Sequence, residues 1–471
     1  MLLMRPQQMR SVFCALLCLW SGLVVAEETS DPFDTAAELP LKPALHPGTS
    51  DGDPCAFAMP DGALDLPEVI NLALCNNPQT REVWASTRAQ AAQVGVSQAD
   101  YFPGTNLSAA SSRTSPGTGQ RSYALTLSYL LFDFGTRAAT VENARQLLAA
   151  ATATQNSTVQ AVFLQAVQSY YQMLAAQAAL DAALESERAA KESFAAAEAR
   201  YRSGSATPAD KLQAQTAYSQ ATLNRITADG NTKNVRGALA NMLGLEANRN
   251  VTLAAAQTAD IPAGFDRDVD ALIEEAKLRR PDLQAAAAQV KAAEASVDQV
   301  RGAGKPSLSM TASTNQTNAA GVSSHDSSVG FNLRVPLFSG FAPTYRIRAA
   351  EAQVETQKAQ LERLRLQVVL DVWTAYQNLV TVTQSLRTTA DLLNSAEQSE
   401  RVALGRYKAG VGSILDVLNA QSALASARQQ RIQASFNWNV SRAALAHAMG
   451  SLDESLLKEF PGGIGRAQEN K

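Results

Sequence analysis

The sequence predicts a mainly α-helical chain with a membrane β-barrel part, in which a helical hairpin occurs twice. Three observations carry this. The stretch "RYRSGSATPADKLQAQTAYSQATLNRI" from Arg200 returns as "RYKAGVGSILDVLNAQSALASARQQRI" from Arg406, 206 residues later, and the offset holds without a gap to Leu243 and Met449. One segment in each half alternates apolar and polar residues with the period of a β-strand. Two other segments, Thr136 to about Tyr201 and Pro343 to Tyr407, have helical apolar spacing and no interior proline.

Taken from its start, the chain opens with an expected export signal, residues 1–26. "MLLMRPQQMR" supplies Arg5 and Arg10, "SVFCALLCLWSGLVV" is the apolar core, and Val24-Val25-Ala26 suits a signal peptidase. That core is short for a spanning anchor, and Cys18 lacks the small residues that precede a lipidated cysteine. Cleavage would take the formal net charge from −3 to −5, since two arginines and no acids leave. Of the four cysteines, Cys55 and Cys75 would remain, an even pair in an oxidising compartment. A disulfide between them would stabilise by roughly 3 kcal/mol. Residues 27–62 read as an N-terminal extension.

The duplication sets the remaining boundaries: a first repeat over 63–250, a linker over 251–266, a second repeat over 267–450 and a tail over 451–471. "ALCNNPQTREVWASTRAQAAQVGVSQADYFP" from Ala73 corresponds to "AKLRRPDLQAAAAQVKAAEASVDQVRGAGKP" from Ala276 at an offset of 203. "YLLFDFG" from Tyr129 matches "VPLFSGF" from Val335 at 206, so the difference falls between Pro103 and Tyr129, in the non-helical region.

In that region Tyr123, Leu125, Leu127, Tyr129 and Leu131 alternate with Ser122, Ala124, Thr126 and Ser128. In the second half Val329, Phe331, Leu333, Val335 and Leu337 alternate with Ser328, Gly330, Asn332 and Arg334. Weaker strands, "PGTNLSAASSR" and "PSLSMTASTNQT", precede them, giving hairpins at about 104–132 and 306–338 with turns around Pro116 and Ala319. The other segments are helical, so no second sheet covers the apolar face, and lipid is its expected partner. Tyr123, Tyr129, Phe132, Phe331 and Phe338 suit the membrane interfaces. Four strands cannot close a barrel, and an open edge cannot sit in lipid. Closure calls for further copies of the chain: two copies give a plugged barrel of eight strands, three a barrel of twelve with an opening.

Phe163, Val167, Tyr170 and Leu174, and in the second half Val369, Val372, Tyr376 and Leu379, recur in coiled-coil steps. A helix of 66 residues from Thr136 spans roughly 100 Å. Shorter helices over about 78–101 and 208–245, stacked end to end, would match its length. Alanines on these faces permit close packing in a ring.

From Leu64 to Gly450 these residues resemble the TolC-like outer membrane factors, through "LDLPEVINLALCNNP", "RRPDL", "PLFSGF" and the two "RY(R/K)xG" hairpins in that order. The resemblance implies a homotrimer whose shared twelve-stranded outer-membrane β-barrel continues into a periplasmic α-barrel tunnel of twelve helices. It implies outer-membrane lipid around the barrel, with a periplasmic adaptor (membrane fusion) protein and an inner-membrane ABC or proton-driven transporter as partners. The "PCAF…ALCNNPQTREVWA" opening is similar to the CyaE-type branch, which implies an exit duct for type I secretion of protein toxins. The alternative is the outer-membrane channel of a multidrug efflux pump. By the same resemblance the hairpin tips form a gate, in which Tyr407 matches the gate tyrosine, Asp210 its acidic partner and Asp416 an aspartate ring. Gly412 stands where an arginine would complete the lock, and Asn419 where a second aspartate would line the ring. A loosely held gate follows. The residues themselves also allow Asp210 and Asp416 a helix-capping role after a glycine turn.

Composition argues against other classes. The hydrophobic fraction is 46% and the charged fraction 18%, and nothing is strongly basic, so no nucleic-acid partner is expected. His46, His325 and His447 are scattered, no HExxH, Walker or nucleophile-elbow pattern occurs, and "GGIGR" follows no strand. No enzyme activity, cofactor or metal is expected. A periplasmic adaptor would carry one hairpin flanked by lipoyl-like β-domains, and a fibrous adhesin would not need duplicated lipid-facing hairpins.

Overall fold

A computed structural model describes residues 31–39, 55, 62–113, 119–254, 268–319 and 321–452. The expected signal, the Pro116 turn, most of the linker and the tail lie outside them. Each half runs short helix, helix, β-hairpin, very long helix, helix. The first half holds α1 (Leu66–Asn76), α2 (Pro78–Ala99), β1 (Gly104–Arg113), β2 (Gly119–Phe132), α3 (Thr136–Arg202) and α4 (Pro208–Met242). The second holds α5 (Val269–Arg279), α6 (Pro281–Ala303), β3 (Ser307–Ala319), β4 (Val322–Arg334), α7 (Ala342–Lys408) and α8 (Ile414–Ala448).

Local chemistry explains where these helices begin and end. Proline enters the first turn of α1, α2, α4, α6 and α7, where its missing N–H is not needed. Asp65 and Glu68 exchange hydrogen bonds at 2.9 Å in a capping box at the start of α1. At the tip of each long helix a left-handed glycine, Gly204 or Gly410, closes a Schellman turn: Ser205 N–H donates to Arg200 O at 2.9 Å and Val411 N–H to Arg406 O at 3.0 Å. That is the physical content of the repeated Arg-Tyr-x-x-Gly. The strand-to-helix turns match in the same way, through left-handed Phe134-Gly135 and Gly340-Phe341.

α3 and α7 are each 67 residues, roughly 100 Å at about 1.5 Å per residue. α3 packs against α2 and α4 on one side and α6 and α8 on the other, while α7 packs against α6 and α8. The helices therefore form four columns in the order α2 with α4, α3, α6 with α8, and α7. The spliced columns are joined end to end: a Cβ on Gly244 would lie 2.5 Å from Asn76 O, and one on Gly450 would lie 3.0 Å from Arg280 Cα. Around the first splice, Val167, Leu239, Leu243 and Ile70 form the fully buried core, with Phe163 and Tyr170 of the expected seam inside it and Leu174 at its margin. Around the second, α5 lays Leu272 and Ile273 over Val368, Val372 and Leu379, and Val369 and Tyr376 are only partly buried there.

The four strands form one antiparallel sheet in the order β1-β2-β3-β4, so the two copies of the hairpin pair directly with each other. Leu127 stands opposite Ala312 and Ala312 opposite Val329; Tyr129 stands opposite Met310 and Met310 opposite Phe331. A bulge between Leu130 and Phe132 brings Phe132 opposite Leu308 and so onto the same face. Two strand ends differ from expectation. β4 ends at Arg334, so Val335 lies one residue beyond the ladder and the second hairpin spans 307–334 rather than 306–338. Pro336 follows, has no N–H to donate, and biases the residue before it. Ala319 is not in a loop but is the last residue of β3, paired with Val322 across a turn with left-handed Gly321.

Candidate functional site

The register assembles a continuous apolar face. Tyr123, Leu125, Leu127 and Tyr129 of β2 share it with Phe331 and Leu333 of β4, and with Leu107, Leu308 and Met310 between and beside them. Nothing among the described residues covers it: Leu125 is 47%, Phe331 70% and Leu333 66% exposed. The opposite face carries Asn106, Thr126, Ser128, Ser313 and Ser328, the last two with hydroxyls 3.0 Å apart. Among the described residues β1 and β4 are the unpaired edges of the sheet. At the strand–helix junctions stand exposed Phe102, Phe134, Phe338 and Phe341, with the Arg137 guanidinium 4.7 Å from the Tyr101 ring centre. No helix among the described residues is long and apolar enough to cross a membrane. This sheet is the part suited to lipid.

At the far end lie the two hairpin tips. Ala197 of α3, Ala214 of α4, Tyr407 of α7 and Ile414 and Val417 of α8 bury one another, joining the tips within a single chain. Tyr407 is 5% exposed, yet its counterpart Tyr201 is 40% exposed, so the duplicated tyrosines have different surroundings. The Tyr407 hydroxyl has no hydrogen-bond partner among the described residues. Asp210 is half-buried, and its carboxylate accepts from Thr207 N–H at 2.9 Å and Thr207 Oγ1 at 2.8 Å. Asp416 is exposed and accepts from Ser413 N–H at 3.3 Å, and Asn419 is exposed one turn further on. Both aspartates therefore complete capping boxes. Tyr407 and Asp210 are not bonded to each other within the chain.

Sequence reasoning missed two long-range contacts. Arg200 of α3 reaches across the tips, with its guanidinium carbon 4.1 Å from the Tyr407 ring centre and Nη2 donating to Tyr407 O. At the second splice Arg280 pairs with Asp371 at 2.9 Å and with Asp282, and Nη1 also donates to Ala448 O at 3.4 Å. His447 sits beside this cluster; burial, then the Arg280 charge, lowers its pKa against the opposing pull of Asp282 and Asp371. The sequence signal for both contacts was an arginine at a helix end, at Arg-Tyr and Arg-Arg-Pro-Asp, without any indication of its distant partner. Cys55 and Cys75 form a disulfide with Cα atoms 5.4 Å apart, tying the extension to α1. Among the described residues no group of three or more His, Cys, Asp or Glu side chains is placed to hold a metal ion.

A β-sheet with one bare apolar face and two open edges, continued by helices of roughly 100 Å, defines the class of outer-membrane channel subunits that extend into the periplasm. The chain matches the Outer membrane efflux protein family over residues 69–245 and 272–451. It is 33% identical over 411 residues to Protein CyaE of Bordetella pertussis, covering 84% of this chain and 86% of that one. It is 24% identical over 420 residues to the outer membrane protein TolC of Vibrio cholerae, covering 86% and 95%. Its fold superposes on the Campylobacter jejuni CmeC outer membrane channel with a TM-score of 0.73 at 19% identity, covering 84% and 89%. The chain belongs to the outer membrane efflux protein family, the TolC-like outer membrane factors. It is an outer-membrane export channel whose helices extend into the periplasm.

Proposed function

We propose that this channel is the exit duct of a type I secretion system, passing a protein cargo from an inner-membrane ABC transporter and its periplasmic adaptor to the outside. The carrying observation is the likeness to CyaE, 33% identical across most of both chains, against 24% for the Vibrio cholerae TolC. Three copies would make the duct. The open edges of β1 and β4 call for pairing between chains, and α7 bears Leu366, Leu370 and Trp373 uncovered in helical steps of four and three. Twelve strands would then enclose the polar face as a lumen and give lipid the face of Tyr123, Leu125, Leu127, Tyr129, Phe331 and Leu333. The tips would be the gate, with Asp416 and Asn419 lining it and Asp210 and Tyr407 holding it.

Complementation tests the cargo class. The chain should restore export of a large protein in cells that have an ABC exporter and adaptor but no outer-membrane component. Restored drug resistance in a pump strain lacking its outer channel, with no restored protein export, would instead support the multidrug reading that the family's efflux members favour.

A further inference from the structure

We propose that Arg200 is the latch between the two hairpin tips of each chain, a positioning residue that keeps the resting gate closed from within the protomer. This rests on the reading of the tips as the gate. Arg200 belongs to the first hairpin, and everything it holds belongs to the second. Its guanidinium lies 4.1 Å from the Tyr407 ring centre, and Nη2 donates to Tyr407 O and, at 3.4 Å, to Lys408 O. Those carbonyls end α7; Tyr407 O already accepts from Gly410 N–H at 3.0 Å, so Arg200 adds a second, charged donor there. A cation at that end also meets the negative pole of the helix, and its flat face meets the ring. One side chain thus adds a donor to a helix end of the other hairpin, stacks on the buried Tyr407 ring, and flanks the cluster of Ala197, Ala214, Ile414 and Val417.

The loop of the second hairpin, residues 409–413, carries no cation of its own. A Cβ on Gly412 would lie 3.0 Å from Tyr407 N and 3.1 Å from Arg406 C, so the turn is folded directly onto the last turn of α7. A side chain there would need its neighbours to give by a few tenths of an ångström. Arg406, the repeat counterpart of Arg200, is exposed. The duplication therefore carries two equivalent arginines, of which the structure uses one to cross between hairpins.

The test is resting conductance of the full-length protein in planar bilayers. Arg200→Ala should raise resting open probability by about tenfold or more, the size expected for losing a charged hydrogen bond. Arg406→Ala should leave it unchanged. A second lock on the same seam should undo the leak. Ser193 and Gln421 approach to 3.0 Å between α3 and α8 above Arg200, so Ser193→Cys with Gln421→Cys, joined by oxidation or a short bismaleimide and verified by mass, should return Arg200→Ala to low conductance. A leak that persists after joining would show that Arg200 does not act by holding this seam, and overturn the latch. If Arg200→Ala is silent while Asp416→Ala alters ion selectivity, the gate stands and the latch falls; if both are silent, the gate reading itself falls.

Discussion

Asn77 donates from Nδ2 to the carbonyl oxygen of Met242 at 3.2 Å, so the residue that caps the start of α2 also closes the end of α4. In the second repeat the corresponding splice is made by Arg280, the residue before α6, with Ala448 O at the end of α8. One geometry is held by an amide in one copy and by a guanidinium with two carboxylates in the other. Both splices bring a helix C-terminus against a helix N-terminus, where opposite dipole ends meet and orphan groups satisfy one another. This converts two short helices into one column as long as its neighbour, which a continuous tunnel wall requires.

Arg280→Ala should therefore destabilise more than Asn77→Ala. Its side chain is 11% exposed while Asp371 and Asp282 are 34% and 24% exposed, so removal leaves two partly buried carboxylates without their cation. A loss of about 2 kcal/mol is expected, below the range for fully buried pairs. Asn77→Ala should cost about 1 kcal/mol as a lost cap. Thermal unfolding of detergent-solubilised protein measures both, and an equal or reversed order would refute the assigned role of Arg280.

The same splice predicts a pH dependence. Burial and the neighbouring Arg280 lower the pKa of His447 below its ordinary 6.5. A histidine depressed in the folded state binds its proton more readily when unfolded, so its contribution is intact above about 6.5 and is lost as pH falls toward the folded value. His447→Gln should leave the melting temperature nearly unchanged at about pH 7.5 and should flatten the acid decline that begins near 6.5. Parallel melting curves for both proteins across that window would count against it.

Much of this architecture was legible in the sequence because its signals are local. Proline-free runs of helical spacing, ended by glycine turns, bounded α3 and α7 to within a residue or two, and alternation gave the faces of β2 and β4. What was not legible is long-range. The pairing of β2 with β3 depends on how the two repeats meet, and neither segment encodes it alone. Val335 kept the apolar alternation but lost its place in the ladder to Pro336. The partners of Arg200 and Arg280 lie 207 and 91 residues away, beyond any spacing rule. At the tips, the sequence placed Asp210 and Asp416 at helix starts, but not the inequality of Tyr201 and Tyr407.

On the sheet, Leu127→Arg and Leu333→Arg should each block assembly of the barrel. A charge on the lipid face costs about 2–4 kcal/mol at mid-bilayer, incurred once per chain. Ser128→Arg, on the polar face, should assemble normally. Native gels of membrane fractions compare the three, and equal assembly would remove the facing assignment.

The gate prediction follows from one unsatisfied atom. The Tyr407 hydroxyl is buried and has no acceptor among the described residues, a condition that costs about 1–3 kcal/mol if it persists. That atom is already covered within the single chain, so we expect the chain's own Asp210, one turn from the Ala214 that packs on Tyr407, to turn from Thr207 and accept it when the ring closes; the carboxylate is half-buried. Tyr407→Phe keeps the ring under Arg200 and removes only the hydroxyl, so it isolates this bond from the latch. It should raise resting conductance in planar bilayers, as should Asp210→Ala, and the double variant should add little because both remove one interaction. Combined with Arg200→Ala, Tyr407→Phe should leak further, since the guanidinium acts on the ring and the backbone. Asp416→Ala should behave differently, lowering cation selectivity and block by multivalent cations, because an exposed acidic ring concentrates positive ions at the constriction. Unchanged conductance in both Tyr407→Phe and Asp210→Ala would mean that the hydroxyl stays unpaired in the ring and that packing, with Arg200, closes the tips alone.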